Sequence, residues 1–170
     1  LSGNISFYRN RITHLPESVI NSYGGNGTTD NILGLPINSM YGYIADGLFR
    51  SQSDIDVHAR QDGAGLGRIR YRDINEDGII NDKDRTWIGN PHPDFSYGLN
   101  ITMAYKGVDL SLFFQGVQGV DVINELKYHT DFWAVSETGS NKGTRLLDAW
   151  SLANPESNIP AVTMDNSNDE

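Results

Sequence analysis

Cysteine is absent from this 170-residue chain, which excludes disulfides, thiolate metal sites and a thiol nucleophile. Nothing in it approaches the run of about 18 apolar residues that a membrane-spanning helix needs. Clustered basic side chains are missing too: 13 Lys and Arg are scattered among 22 Asp and Glu, for a formal charge of -9. Phosphate backbones require such clusters, so nucleic acid is not an expected partner. Arg68, Arg70 and Arg72 alternate with apolar residues and lead into acid, the pattern of a solvated flank. There is no G-x-S-x-G elbow, H-E-x-x-H motif or P-loop, and the four histidines (His14, His58, His92, His129) have no metal spacing. Asp46 and Asp131 lack the partner that paired-carboxylate hydrolysis requires. The chain is therefore not expected to be an enzyme. It opens LSGNISFYRN, without an initiator Met or an apolar leader, and is expected to be a piece of a longer protein. An apolar share of 38% is low and 18 glycines are many, which points to loops and to strands with one wet face.

Alternation carries the clearest structural signal. Leu1–Phe7 places Leu1, Ile5 and Phe7 on one side and Ser2, Asn4 and Ser6 on the other. In Phe95–Tyr105 one face reads Phe95, Tyr97, Leu99, Ile101, Met103 and Tyr105, against Ser96, Gly98, Asn100, Thr102 and Ala104. Val108–Gly116 repeats the arrangement after Lys106-Gly107, which predicts a hairpin with a tight turn. Its apolar face suits either a soluble sandwich or the lipid side of a membrane barrel. Elsewhere, Ser22–Asn31 reads as a mobile loop and Pro36–Phe49 as a short strand or hairpin. Ser51–Gln61 predicts a helix of about two turns, capped by Ser53 with Asp56 and ended by Gly63-Ala64-Gly65. Ile69–Tyr71 and Arg85–Phe95 read as extended, Asp121–Trp133 as one short helix and Glu137–Gly143 as loop. The acidic tail after Trp150 is expected to lie along something else or to be disordered at its end. Tyr41, Tyr43, Phe49, Trp87 and Trp133 are expected in a core, the alternative being a stacking surface for sugars or peptides.

Asp73–Asp84 reads DINEDGIINDKD. Asp73, Asn75 and Asp77 stand at positions 1, 3 and 5 of a twelve-residue window, with Gly78 at the sharp turn. Ile79 offers a carbonyl at position 7, Ile80 an apolar anchor, Asn81 an amide at position 9 and Asp84 a carboxylate at position 12. That is the grammar of a calcium loop, with Asp84 where EF-hands use Glu and dockerins use Asp. The other reading needs no metal: Asp and Asn make Asx-turns and Gly supplies the turn conformation. Converging aspartates repel one another, with Arg70, Arg72, Lys83 and Arg85 as available counter-charges. Ca2+ in a structural role is the expected cofactor if there is one.

Several segments, ordered along the chain, resemble the C-terminal part of SusC/RagA-type TonB-dependent outer-membrane transporters of Bacteroidetes. Gly42-Tyr43 and Asp46-Gly47-Phe49 match G-Y-x-x-D-G-[LI]-F. Tyr71, Asp73, Asn75, Asp77, Gly78, Asn81 and Asp84-Arg85 match Y-x-D-x-N-x-D-G-x-I-[ND]-x-x-D-R. Ile88-Gly89-Asn90-Pro91 with Pro93 matches I-G-x-P-x-P, and Trp150–Pro160 is similar to a W-t-p-x-N-p-x-x-x-I-P segment, with Ser151 and Leu152 departing from it. The resemblance implies a mainly β fold, a fragment of a transmembrane β-barrel with a large extracellular loop region. Residues 1–14 would be a barrel strand and 15–94 extracellular, including the acidic loop 73–84. Residues 95–118 would be a barrel hairpin turning on the periplasmic side, and 119–170 a second, partly disordered extracellular region. It further implies an outer-membrane location, a plug-bearing parent barrel, a SusD-like surface lipoprotein, coupling to TonB, and import of oligosaccharides or peptides. With about three strands where a closed barrel needs roughly eight, the chain by itself is not expected to transport. In isolation a small β-rich module with one or two short helices is expected, open to self-association through the hairpin. The alternative function is a calcium-stabilised extracellular carbohydrate-binding or protein-interaction module. A dockerin would duplicate the loop and follow it with a helix, whereas here one copy precedes RTWIGNPHP.

Overall fold

Strands supply most of the regular structure in the computed structural model, which describes residues 1–16, 31–132 and 141–163. They are β1 (Ser2–Ser6), β2 (Met40–Tyr43), β3 (Ala45–Leu48), β4 (Ile69–Tyr71), β5 (Arg85–Gly89), β6 (Phe95–Tyr105) and β7 (Val108–Gln118). Among the described residues two short α-helices, α1 (Gln52–Val57) and α2 (Glu125–Lys127), accompany the strands in a mainly β fold, as the sequence led us to expect. Most of the loop expected at Ser22–Asn31, part of that at Glu137–Gly143, the end of the acidic tail and Trp133 lie outside the described residues. The chain divides into two units, each built from two stretches: Leu1–Gly42 with Trp87–Val122, and Tyr43–Thr86 with Ile123–Glu170.

The first unit is organised by an antiparallel meander in the order β1–β6–β7. Lys106 and Gly107 both take positive φ, 48° and 85°, the requirement of a two-residue turn whose twist matches its strands. Across the hairpin Leu99 faces Phe114, Ile101 faces Leu112, Met103 faces Leu110 and Tyr105 faces Val108. Gly3 and Ile5 extend this apolar row onto β1, beside Leu99 and Tyr97. The opposite face carries Ser2, Asn4 and Ser6 beside Asn100, Gly98 and Ser96. Two glycines make room for neighbours: a Cβ on Gly116 would lie 2.5 Å from the Tyr97 ring, and one on Gly98 2.5 Å from Asn4 Oδ1. The apolar row stays bare, with Met103 and Phe114 each 50% exposed and Tyr105 72%. Around the meander, Ile32 is buried, Tyr41 meets Trp87 edge-on at 5.0 Å, and β2 pairs with β5.

The second unit holds the better-buried core: Phe49 is fully enclosed, with Leu48, Tyr71 and Trp150 nearly so. β3 and β4 pair antiparallel around a bulge at Asp46-Gly47, where Gly47 takes φ 101°. The buried Gln61 amide completes β4, donating to the Ile69 carbonyl at 2.8 Å and accepting the Tyr71 N–H at 2.9 Å. Trp150 covers Gly67, and the strip that follows is stitched down by Trp150 N–H to Ile159 and Ala161 N–H to Gly67. Arg50 fastens the same strip through the Pro155 carbonyl at 2.6 Å and Asn158 Oδ1 at 2.7 Å. The tail thus lies along a core, as anticipated for its described part.

Three local expectations are corrected. Pro36–Phe49 does not fold back on itself; β2 pairs with β5 and β3 with β4. Only Ile44 separates the two strands, too little for even a two-residue hairpin loop. The helix cap is Ser51, not Ser53: its hydroxyl accepts the Asp54 N–H while Asp54 accepts the Ser51 N–H. α1 stops at Val57, far short of Gly63, because the chain beyond is needed elsewhere. His58 packs on Phe49 at 5.1 Å, and Arg60 pairs through its backbone with Gly78 and Ile80. Finally, the helix expected over Asp121–Trp133 is reduced to α2 and a wider turn at Tyr128–Phe132. Asp121 is held instead by the Asn90 backbone.

Candidate functional site

The acidic loop runs from the end of β4 to the start of β5 within the second unit. Its base is pinned to Arg60, whose N–H donates to the Gly78 carbonyl at 2.8 Å and whose carbonyl accepts the Ile80 N–H at 2.9 Å. Gly78 takes φ 81° and Glu76 φ 58°, so the chain doubles back within three residues. Asp73 Oδ2 accepts the Gly78 N–H at 2.8 Å and closes the ring. Consecutive Asx-turns line it: Asn75 Oδ1 accepts the Asp77 N–H, Asp77 Oδ1 the Ile79 N–H and Asn81 Oδ1 the Lys83 N–H, each at 3.0 Å. Asp84 is fully buried, and its two oxygens accept the Ile74 N–H at 3.0 Å and the Asn81 N–H at 2.8 Å. Ile80, expected as the apolar anchor, is half-buried.

The available cations reach Asp82 but not the loop's Asp73, Asp77 or Asp84. Arg70 and Arg72 both turn to Asp46, each at 3.5 Å, and Arg85 pairs with Asp82 at 3.3 Å while its guanidinium lies over the Tyr43 ring. No Lys or Arg pairs with Asp73, Asp77 or Asp84 among the described residues. Asp73 Oδ1 is buried and accepts no hydrogen bond. A carboxylate oxygen without a donor is costly, and a cation or a water would relieve it. Asp84, by contrast, has both oxygens engaged by backbone N–H groups and supports the loop from beneath. Among the described residues no three Asp, Glu or His side chains gather at one point. The loop satisfies most of its own oxygens: Asn75 Nδ2 donates to Asp77 Oδ2 at 2.9 Å and Asn81 Nδ2 to the Ile79 carbonyl at 3.0 Å, while Asp84 holds the backbone in shape and Asp73 Oδ1 is the buried oxygen left over.

The other chemical candidates are absorbed into packing and pairing. His58 lies on Phe49, and His92 donates from Nε2 to the Ile37 carbonyl at 3.0 Å. Asp131 is nearly buried beside Thr130 and Arg145. Phe49 is core, Tyr43 stacks on Tyr71 and Tyr41 on Trp87, so these aromatics do not form an open platform. Arg9, Asn10 and Arg11, which in sequence could either extend the first strand or end it, line a cleft with residues some 80 positions later, a proximity that no local pattern signals.

No family model matches the chain. It is 34% identical over 144 residues to TonB-dependent receptor P26 of Formosa agariphila, a match covering 85% of this chain and 14% of that protein. It is 31% identical over 131 residues to TonB-dependent receptor P3 of the same organism, covering 75% of this chain and 12% of that protein. The chain therefore spans 12–14% of the length of the curated relatives it matches, and its homologues carry the name of TonB-dependent receptors.

Proposed function

We propose that the chain is a wall-and-loop portion of an outer-membrane TonB-dependent receptor of SusC/RagA type, which imports oligosaccharides or peptides with a SusD-like lipoprotein and TonB. The observation that carries this is the β6–β7 hairpin, which keeps an apolar row bare on one face, while the other is small or polar along β6 and mixed along β7, where Phe113 and Val117 stand beside Asp109, Ser111 and Gln115. Eleven residues at about 3.3 Å each extend about 36 Å, and a tilt near 45° brings this to about 26 Å of bilayer. Lipid would cover the row that ends in Tyr97 and Tyr105, and the Ser96–Ala104 row would face the lumen. The meander has open edges at β1 and β7, where neighbouring barrel strands would pair. The similarity to two TonB-dependent receptors supports the same reading. In it the chain is non-catalytic and not transport-competent by itself. A free-standing module is less well supported, because nothing among the described residues covers the apolar row.

In this reading the Lys106-Gly107 turn is periplasmic, and the acidic loop and residues 119–170 are extracellular. The loop would hold structural calcium through Asp73, Asn75, Asp77, Ile79 and Asn81, with Asp84 as backbone support. Calcium there would supply positive charge at the unpartnered Asp73 oxygen and fix loop shape.

These 170 residues hold no cysteine, so a parent receptor whose remaining cysteines, if any, are replaced gives a clean test. Lys106→Cys and Lys142→Cys, placed singly in the parent receptor, are exposed to a membrane-impermeant maleimide on intact cells. Labelling at position 142 with protection at 106, relieved by permeabilisation, is the expected outcome. Equal labelling at both positions, or the reverse pattern, would overturn the assignment.

A further inference from the structure

The first unit contains a cleft of about 250 Å3 whose lining includes Tyr8, Arg9, Asn10, Arg11, His92 and Asp94. Its charge runs against that of the chain. Arg50, Arg70, Arg72, Arg85 and Arg145 each lie beside a carboxylate. Arg9 and Arg11, both exposed, pair with no acid among the described residues, although the chain carries 22. Asn10 braces the wall between them: its Oδ1 accepts the Ile37 N–H at 2.8 Å and its Nδ2 is buried. His92 is fixed from both sides, by its bond to the Ile37 carbonyl and by the Tyr8 ring at 6.2 Å. With its proton on Nε2, its Nδ1 is an acceptor. Asp94 supplies the one lining carboxylate and lies against Gly119.

Two unpaired guanidinium forks call for an anion, and a planar carboxylate matches the fork best. The acceptors on Asp94 and His92 call for hydroxyl donors on the same ligand, and the Tyr8 ring offers an apolar face. The volume falls below the range of about 300–1,000 Å3 typical of drug-sized ligands, so one ring fits rather than a chain. We propose that this cleft binds a carboxylated sugar, a uronic acid unit, with its carboxylate on Arg9 and Arg11 and its hydroxyls on Asp94 and His92. The inference rests on the cleft alone and would hold for a binding module that transports nothing.

Calorimetric titration of the full chain in mild detergent, using digalacturonate, a neutral digalactoside and glutamate, tests the proposal. Binding of digalacturonate that is not matched by the other two is expected. Arg9→Gln combined with Arg11→Gln should weaken it about tenfold or more. Lys106→Gln, in the hairpin turn, should leave it unchanged, and an unaltered melting midpoint would show that each variant is folded. No binding of digalacturonate, equal binding of the neutral sugar or glutamate, or full affinity in the folded double variant would overturn it.

Discussion

Gly67 and Gly107 adopt nearly the same backbone, φ 76° and 85°, and differ in what surrounds them. A Cβ on Gly107 meets nothing within 4 Å, whereas one on Gly67 would strike the Trp150 ring and Ala161. Gly107→Ala should therefore cost about 1–2 kcal/mol, the left-handed penalty alone. Gly67→Ala should add about 1–3 kcal/mol of overpacking, so urea midpoints should fall in the order wild type, Gly107→Ala, Gly67→Ala. Only the first of these was legible in the sequence, from the alternation flanking Lys106-Gly107; the need at Gly67 arises from a tryptophan 83 positions away. Asp54 carries a pH dependence. Its carboxyl is held below the usual carboxylate range by the Arg50 N–H first, then by the Ser51 hydroxyl and N–H. Because the folded value is the lower one, this contribution is complete above the unfolded pKa of about 3.9 and disappears as pH falls through the folded value. Asp54→Asn should flatten that acid-side loss in melting curves taken between about pH 2 and pH 6.

At the scale of elements, the hairpin could be read from the sequence because each of its signals is local: period-two alternation and a turn residue suited to positive φ. For β2 and β3 the extended character was legible but the pairing was not, since their partners β5 and β4 lie some 20 to 45 positions later and no local pattern names them. The helix was found, but Ser53 was chosen over Ser51 because the aspartates at 54 and 56 fit either cap equally well. The acidic loop was legible as a ring of Asx-turns, while the turning of Arg70 and Arg72 toward Asp46 depends on the β3 bulge and has no sequence signature. The hairpin's two faces should respond differently to charge. If the hairpin forms barrel wall as proposed, Leu112→Lys, on the row with Ile101, should cost about 2–4 kcal/mol near the bilayer midplane. Ser111→Lys, opposite Thr102, should cost far less. Recovery of the parent receptor in the outer-membrane fraction, followed by its urea resistance, measures both.

For the whole molecule, a charge of -9 makes self-repulsion a standing cost, and the acidic loop concentrates part of it. If calcium occupies the loop, adding it at about 100 times its Kd should stabilise the folded chain by about 2.7 kcal/mol, seen as a higher melting midpoint that a chelator reverses. Asp73→Ala should abolish that rise and Arg9→Gln should not. Sequence reading divided the chain into consecutive regions, whereas the structure interleaves them: residues 87–122 join 1–42, and 123 onward joins Tyr43–Thr86. This weave has a temporal consequence. As the chain is delivered from its N-terminal end, the first stretch of each unit waits for its second. Phe49 emerges about a hundred residues ahead of the Trp150 that shares its core, and β1 emerges well before β6. Each unit is thus begun before the other is finished, and a single proteolytic nick anywhere from residue 44 to 121 would divide both at once.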